Sequence, residues 1–251
     1  MDGVARDIES SYDVVFEPET LPCGRKIGNR LVKVCSIILG DIRMTKHLEQ
    51  VAMYEHLATF PGGPPNAHHI QLYSEWAKHE WGMVVTGNVQ VAPNHLTLGR
   101  DIVLPTGPAL SEPSEQDLLP FCRLADAIHG LKDQTNSVQV RNKTLAIMQL
   151  NHPGRQSSNF IGGRWPLQPP LAPSALRIGV GSTRTTGFMG ELVNKLMFQT
   201  PKEMSKTEVQ GALNSFVQGA VFASRAGFDG VQVHVAHGCK FIIYSVIEIT
   251  T

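Results

Sequence analysis

The sequence predicts an α/β fold built on a mainly parallel sheet, and three stretches lead there. Ser205–Gly238, SKTEVQGALNSFVQGAVFASRAGFDGVQVHVAHG, reads as a helix, a tight turn and a buried strand. A helix followed by a strand recurs over 68–91, where MVVTGNVQV is the strand, and again over 115–152, ending in TLAIMQLNH. Helices alternating with short β-branched runs form α/β repeats, whose strands usually pair in parallel.

In the first stretch Ser205 is an N-cap and Glu208 stands where a capping box needs a carboxylate. Val209, Leu213, Phe216, Val217, Ala220 and Val221 recur at three- and four-residue steps, which gives one apolar face. Gly227 can take the left-handed conformation that ends a helix. In the strand Gly230–Val235, Val231, Val233 and Val235 share one face, and Gln232 and His234 the other. Polar side chains at the C-terminal ends of such strands usually build the active site, which directs attention to His234 and His237.

Earlier in the chain, residues 1–20 are polar. LPCGRKIGNRLVK has turn residues and then enters a strand. FPGGPPN is a loop by its Gly and Pro content. His68–Trp81 is the first helix, closed by Gly82, and Pro93–Pro113 is irregular. Glu115–Gln134 is the second helix. Pro153–Pro201 is a long Gly-, Pro- and Ser-rich segment, and a loop of that length usually covers a site.

Composition narrows the class. The 251 residues suit one large domain. Lys plus Arg and Asp plus Glu number 22 each, so there is no basic face for nucleic acid. No apolar run approaches the ~18 residues of a membrane span, and the polar N-terminus is not a secretory signal. Four scattered cysteines without a CxxC argue against zinc and against a disulfide framework; they suit a reducing, cytoplasmic location. Gly62-Gly63 and Gly162-Gly163 do not form a dinucleotide fingerprint.

AGFDGVQVHVAHG resembles the signature of the Old Yellow Enzyme family, and other segments of the family pattern recur in order along the chain. The resemblance implies the N-terminal half of a TIM (β/α)8 barrel, with an N-terminal hairpin as its floor and a β-excursion after strand three. It implies FMN as cofactor, NADH or NADPH as reductant, and a small activated alkene as substrate. In that family two donors spaced as His234 and His237 hydrogen-bond the substrate oxygen, polarising the double bond for hydride arriving from reduced flavin. Gln149 resembles the glutamine that contacts the flavin pyrimidine ring, and Gly87 the glycine that lets backbone approach the isoalloxazine. Ala52, Met53 and Tyr54 resemble the first-strand segment beneath the flavin; Tyr54 falls where many members carry Thr or Cys. Cys239 stands where many carry the proton-donating tyrosine.

Two stretches depart from the pattern. Residues 34–50, VCSIILGDIRMTKHLEQ, match nothing in it, and Val51–Ala58 resumes it. These seventeen residues are 51 nucleotides, and Val and Gln codons allow GT and AG at the two ends, as in a spliceosomal intron. The expectation is translated intron sequence, the alternative a surface insertion, which loops tolerate cheaply. Residues 239–251 leave the pattern after Gly238, so the expectation is a chain cut short after its fourth βα unit. The rival functional readings are a non-catalytic half-barrel and a metal-dependent TIM-barrel lyase using His234 and His237. The lyase needs further ligands, because zinc takes three or four.

Overall fold

A computed structural model describes residues 16–34, 54–79, 81–130, 144–178, 192 and 195–234. A short antiparallel hairpin, β1 (Glu19–Thr20) with β2 (Lys26–Ile27), leads into β3 (Val32–Val34). Then come helix α1 (Ala67–Ala77), β4 (Met83–Gln90), β5 (Ile102–Val103), the single-turn α2 (Pro108–Ser111) and α3 (Glu115–His129). After β6 (Leu145–Asn151), β7 (Leu171–Ala172) pairs in parallel with β8 (Lys202–Glu203) across the long excursion; α4 (Lys206–Arg225) and β9 (Gly230–Val233) close the order.

Strands β3, β4, β6 and β9 lie side by side in chain order, all parallel, and β5 pairs with the end of β4. Four sequential parallel strands with helices between them are the first half of a (β/α)8 barrel. Val84, Val89, Met148 and Leu150 point to the helices and form one core with Tyr73, Phe121, Leu124, Ile128, Phe216 and Phe222. Burying a side chain of this size contributes about 1.5–3 kcal/mol each. Gly219 lets α4 approach closely: a Cβ there would lie 2.9 Å from Leu104 and 3.4 Å from Leu150.

Each longer helix carries its own start signal. Ser205 and Glu208 form the expected capping box on α4, and Ser114 with Asp117 does the same on α3. On α1 the reciprocal partner is a histidine: the side chain of Asn66 accepts from the amides of His68 and His69, and His69 Nδ1 accepts from the Asn66 amide at 3.2 Å. Gly130, at φ 72°, ends α3.

Several boundaries differ from the sequence expectation. Helix α1 stops at Ala77, short of Trp81, because Gly82 is drawn toward the floor, its amide donating to Asn29 Oδ1 at 2.9 Å. Helix α3 stops at His129, short of Gln134. Pro93–Pro113 is not wholly irregular, since it holds β5 and α2. Strand β9 is not buried as expected: it lies at the end of the strand order, with Val231 37% and Val233 41% exposed. On α4, Phe216 is buried, but Val217 is 64% and Val221 49% exposed. The apolar stripe is therefore wider than the face that meets the sheet, and the buried line runs through Phe216, Gly219, Phe222 and Ala223.

Asp229, in the turn before β9, ties the bottom of the sheet together. Its carboxylate accepts from His129 Nε2 and the Ala146 amide at 2.8 and 2.9 Å, and pairs with Arg25 of the hairpin.

Candidate functional site

Because Met148 and Leu150 face the helices, Gln149 and Asn151 must face the opposite side of the sheet. The register places Gln149 beside Asn88 on β4 and Gln232 on β9, and Asn151 beside Gln90. His234 follows β9 directly, and its amide donates to Leu150 O at 2.9 Å, so it stands at the C-terminal end of the sheet next to Asn151. The result is a buried polar layer at the strand ends: Thr86, Asn88, Gln90, Gln149 and Asn151 are each at most 1% exposed.

A bulge shapes this layer. Val85 pairs with Ile147 and Asn88 with Gln149, so β4 spends one more residue than β6 over the interval. The extra length falls at Thr86–Gly87. There the Gln149 amide donates to Thr86 Oγ1 at 3.0 Å, and Gln149 Nε2 donates to Thr86 O at 3.4 Å and Gln232 Oε1 at 3.0 Å. With Nε2 committed to those two acceptors, Gln149 Oε1 is left as a buried acceptor that meets no donor; Asn88 Oδ1 and Asn151 Oδ1 share that condition.

Tyr54 closes a second network. Its hydroxyl accepts from Thr97 Oγ1 at 2.7 Å and Asn151 Nδ2 at 2.8 Å, and its ring stacks on His56 at 5.2 Å. Asn151 Nδ2 also donates to Gln90 Oε1, and Gln90 Nε2 to Asp101 Oδ1. Burial pushes the Asp101 carboxyl above the usual carboxylate range, against the pull of its Gln90 and backbone donors. At the same end His95 and His152 pack with ring centroids 4.6 Å apart; burial holds them down to about 2 and about 4, so both are neutral.

Gly87 has a reason for being glycine that the sequence does not display. A Cβ there would lie 2.0 Å from Glu55 Oε2, so the absent side chain makes room for a buried acid. Glu55 is 3% exposed; it takes a hydrogen bond from Tyr73 and another from the Gly87 amide at 3.0 Å.

Of the residues read from sequence, Tyr54, Gly87, Gln149 and His234 gather at this end of the sheet. Ala52, Met53, His237 and Cys239 lie outside the described residues. Among the described residues no three His, Cys, Asp or Glu side chains converge as a metal site. Sequence reasoning missed Glu55, Tyr73, Asn151 and Asp101, whose partners are remote along the chain. The one available signal was a Glu two places before an apolar pair in VAMYEHLA, and it is weak.

The set of acceptors fits a flavin. Three buried acceptors without donors on adjacent strands suit a planar group that presents N–H, as the pyrimidine edge of an isoalloxazine does, and a bulged backbone lies beside them. The sequence profile of the NADH:flavin oxidoreductase / NADH oxidase family matches residues 36–244. The chain belongs to that family. Membership implies FMN as the cofactor and NADH or NADPH as the reductant. Among curated members of the family, the NADH-dependent flavin oxidoreductase iliE of Neonectria sp. is 33% identical over 222 residues, 88% of this chain and 24% of that one. The iliE protein of Hypocrea jecorina is 30% identical over 88% of this chain and 46% of its own. The chain thus spans 24% and 46% of the length of these two relatives. Morphinone reductase superposes with a TM-score of 0.60 at 19% identity, over 90% of this chain and 48% of that one. The old yellow enzyme of Trypanosoma cruzi gives 0.59 at 21%, over 91% and 52%. At these identities the superpositions show the family's TIM-barrel fold. Among the described residues no helix is long and apolar enough to cross a membrane.

Proposed function

We propose that this chain carries the flavin-ring half of an FMN-dependent oxidoreductase that uses NAD(P)H to reduce activated alkenes such as enones. The observation that carries the reading is the fixed head of Gln149, whose free acceptor stands one strand from His234 at the sheet's C-terminal end. Gln149, Asn88 and the Thr86–Gly87 backbone hold the isoalloxazine, and the buried polar layer keeps water from that edge. His234 and His237 donate to the substrate oxygen and stabilise the charge that develops there. FMN, when bound, supplies the hydride. The substrate is a small molecule, and the location is cytoplasmic.

The test is made in a chain that carries the complete barrel. Joint replacement His234→Ala and His237→Ala leaves flavin bound and abolishes NADH-dependent reduction of cyclohexenone. Unchanged turnover in that double variant discards the donor role.

A second reading, a half-barrel without catalysis, draws on the apolar edge at β9 and α4, where Val231, Val233, Val217 and Val221 are 37–64% exposed. A colourless, aggregating product would favour it.

A further inference from the structure

We infer that Glu55 and Tyr73, on the helix side of the sheet, are positioning residues that set the polarity of the flavin-ring site through the single peptide joining Thr86 to Gly87. The inference rests on the flavin reading of Gln149. The two ends of a peptide group point in opposite directions, and here they serve opposite faces of the sheet. The Gly87 N–H donates to Glu55 Oε1 at 3.0 Å and to the Tyr73 hydroxyl at 2.8 Å. The Thr86 carbonyl, on the same peptide, accepts from Gln149 Nε2 at 3.4 Å. Tyr73 belongs to α1 and to the helix-side core, being fully buried there, whereas Gln149 faces the other way.

The arrangement has a direct chemical consequence. A buried acid accepting from a peptide N–H polarises that peptide and strengthens its carbonyl as an acceptor. A stronger acceptor at Thr86 O holds the NH2 end of the Gln149 amide toward the bulge. Its oxygen is then the end presented to a ligand, so the site offers an acceptor where a flipped amide would offer a donor. Glu55 also occupies the space of a Gly87 side chain, so it fixes the bulge sterically as well as electrostatically. Burial pushes its carboxyl above the usual carboxylate range, while Tyr73 and the Gly87 amide pull it back.

Variants of Glu55, Tyr73 and Gln149 test this. E55Q and Y73F are each expected to weaken FMN binding, followed by flavin fluorescence quenching, about tenfold. Q149L is expected to weaken it at least as much. Because Glu55 acts through Gln149, the E55Q/Q149L double variant should bind FMN no more weakly than Q149L alone. Additive losses would show a merely structural role and overturn the inference. If the wild-type chain binds no FMN, the flavin reading fails separately, and the side-chain amide of Gln149, assigned by its disappearance in Q149L, is read by NMR instead. E55Q should then shift that resonance and speed its hydrogen exchange about tenfold; an unmoved resonance overturns the positioning role.

Discussion

Gly87 and Glu55 occupy each other's space: the carboxyl of Glu55 fills the volume in which a Gly87 side chain would lie, 2.0 Å from the position of its Cβ. Glu55 cannot swing aside, because Tyr73 and the Gly87 amide both hold its Oε1 in a buried setting. G87A should therefore cost about 1–3 kcal/mol, the usual range for overpacking. In an E55A background, where the volume is vacant, the same substitution should cost much less. Urea midpoints of the four proteins measure the difference.

Asp229 predicts a different kind of loss. Its carboxylate is buried and joins the end of α3, the start of β6 and the N-terminal hairpin. D229A leaves His129 and the Ala146 amide without their acceptor, and removing one partner of a buried pair costs about 3–5 kcal/mol. R25A removes a partner whose side chain is half exposed, and should cost well under half as much. Calorimetric melting of the two variants ranks them.

Acid should unfold this protein through histidines. Burial holds His69 and His152 down to about 4 and His95 to about 2, from an ordinary value of 6.5. Between the folded and unfolded values the unfolded chain binds more protons, so stability rises with pH and is lost as pH falls below about 6.5. Each histidine contributes a slope of up to about 1.4 kcal/mol per pH unit. For His69 and His152 the loss is complete near pH 4, and for His95 near pH 2. Glu55 and Asp101, with raised values, work in the opposite direction: the native state holds their protons longer, so their contribution falls as pH rises from the ordinary carboxylate value through the folded one. H152N, which keeps an acceptor for the Gly154 amide, should flatten the acid limb of a urea-midpoint profile between pH 6.5 and 4. An unchanged limb would remove His152 from the account.

The segment 34–50 can be deleted as a test of its origin. Its first residue, Val34, pairs with Val85 of β4, and residues 35–53 lie outside the described residues. We propose that the segment is an insertion within the first barrel strand. The Δ34–50 variant should fold with a melting temperature at least equal to that of the full chain, and loss of folding would show that these residues are needed. Transcript sequencing separates translated intron from surface insertion.

What the sequence showed was local and periodic. The Ser205/Glu208 capping box, the alternation of Gln232 and His234 against the valines of β9, and the apolar strands β4 and β6 all follow from residues within a few places of each other. The family signature added the barrel and the glutamine. The sequence could not show pairings closed by folding. Glu55 meets Tyr73 across 18 residues, and Arg25 meets Asp229 across 204. His69 completes a capping box that is normally the work of Glu or Gln, so its pattern gave no signal. The exposure of Val217 and Val221 was hidden for another reason: periodicity reports which residues share a helix face, and says nothing of what covers it.

The central claim is that the Gln149 end of the sheet binds the flavin ring. Phosphate sites in TIM barrels are usually built by the loops after strands seven and eight, and the described sheet contains the first four barrel strands. Purified 1–251 should therefore bind flavin weakly, through the ring alone. Lost phosphate contacts at about 1.5–3 kcal/mol each place the affinity orders of magnitude below that of a complete barrel. The decisive measurement is a fluorescence-quenching titration of wild type and Q149L with FMN and with riboflavin, which lacks the phosphate. Wild type should bind both ligands weakly and nearly equally, and Q149L should bind neither. Tight, stoichiometric FMN binding that Q149L leaves unchanged would contradict it.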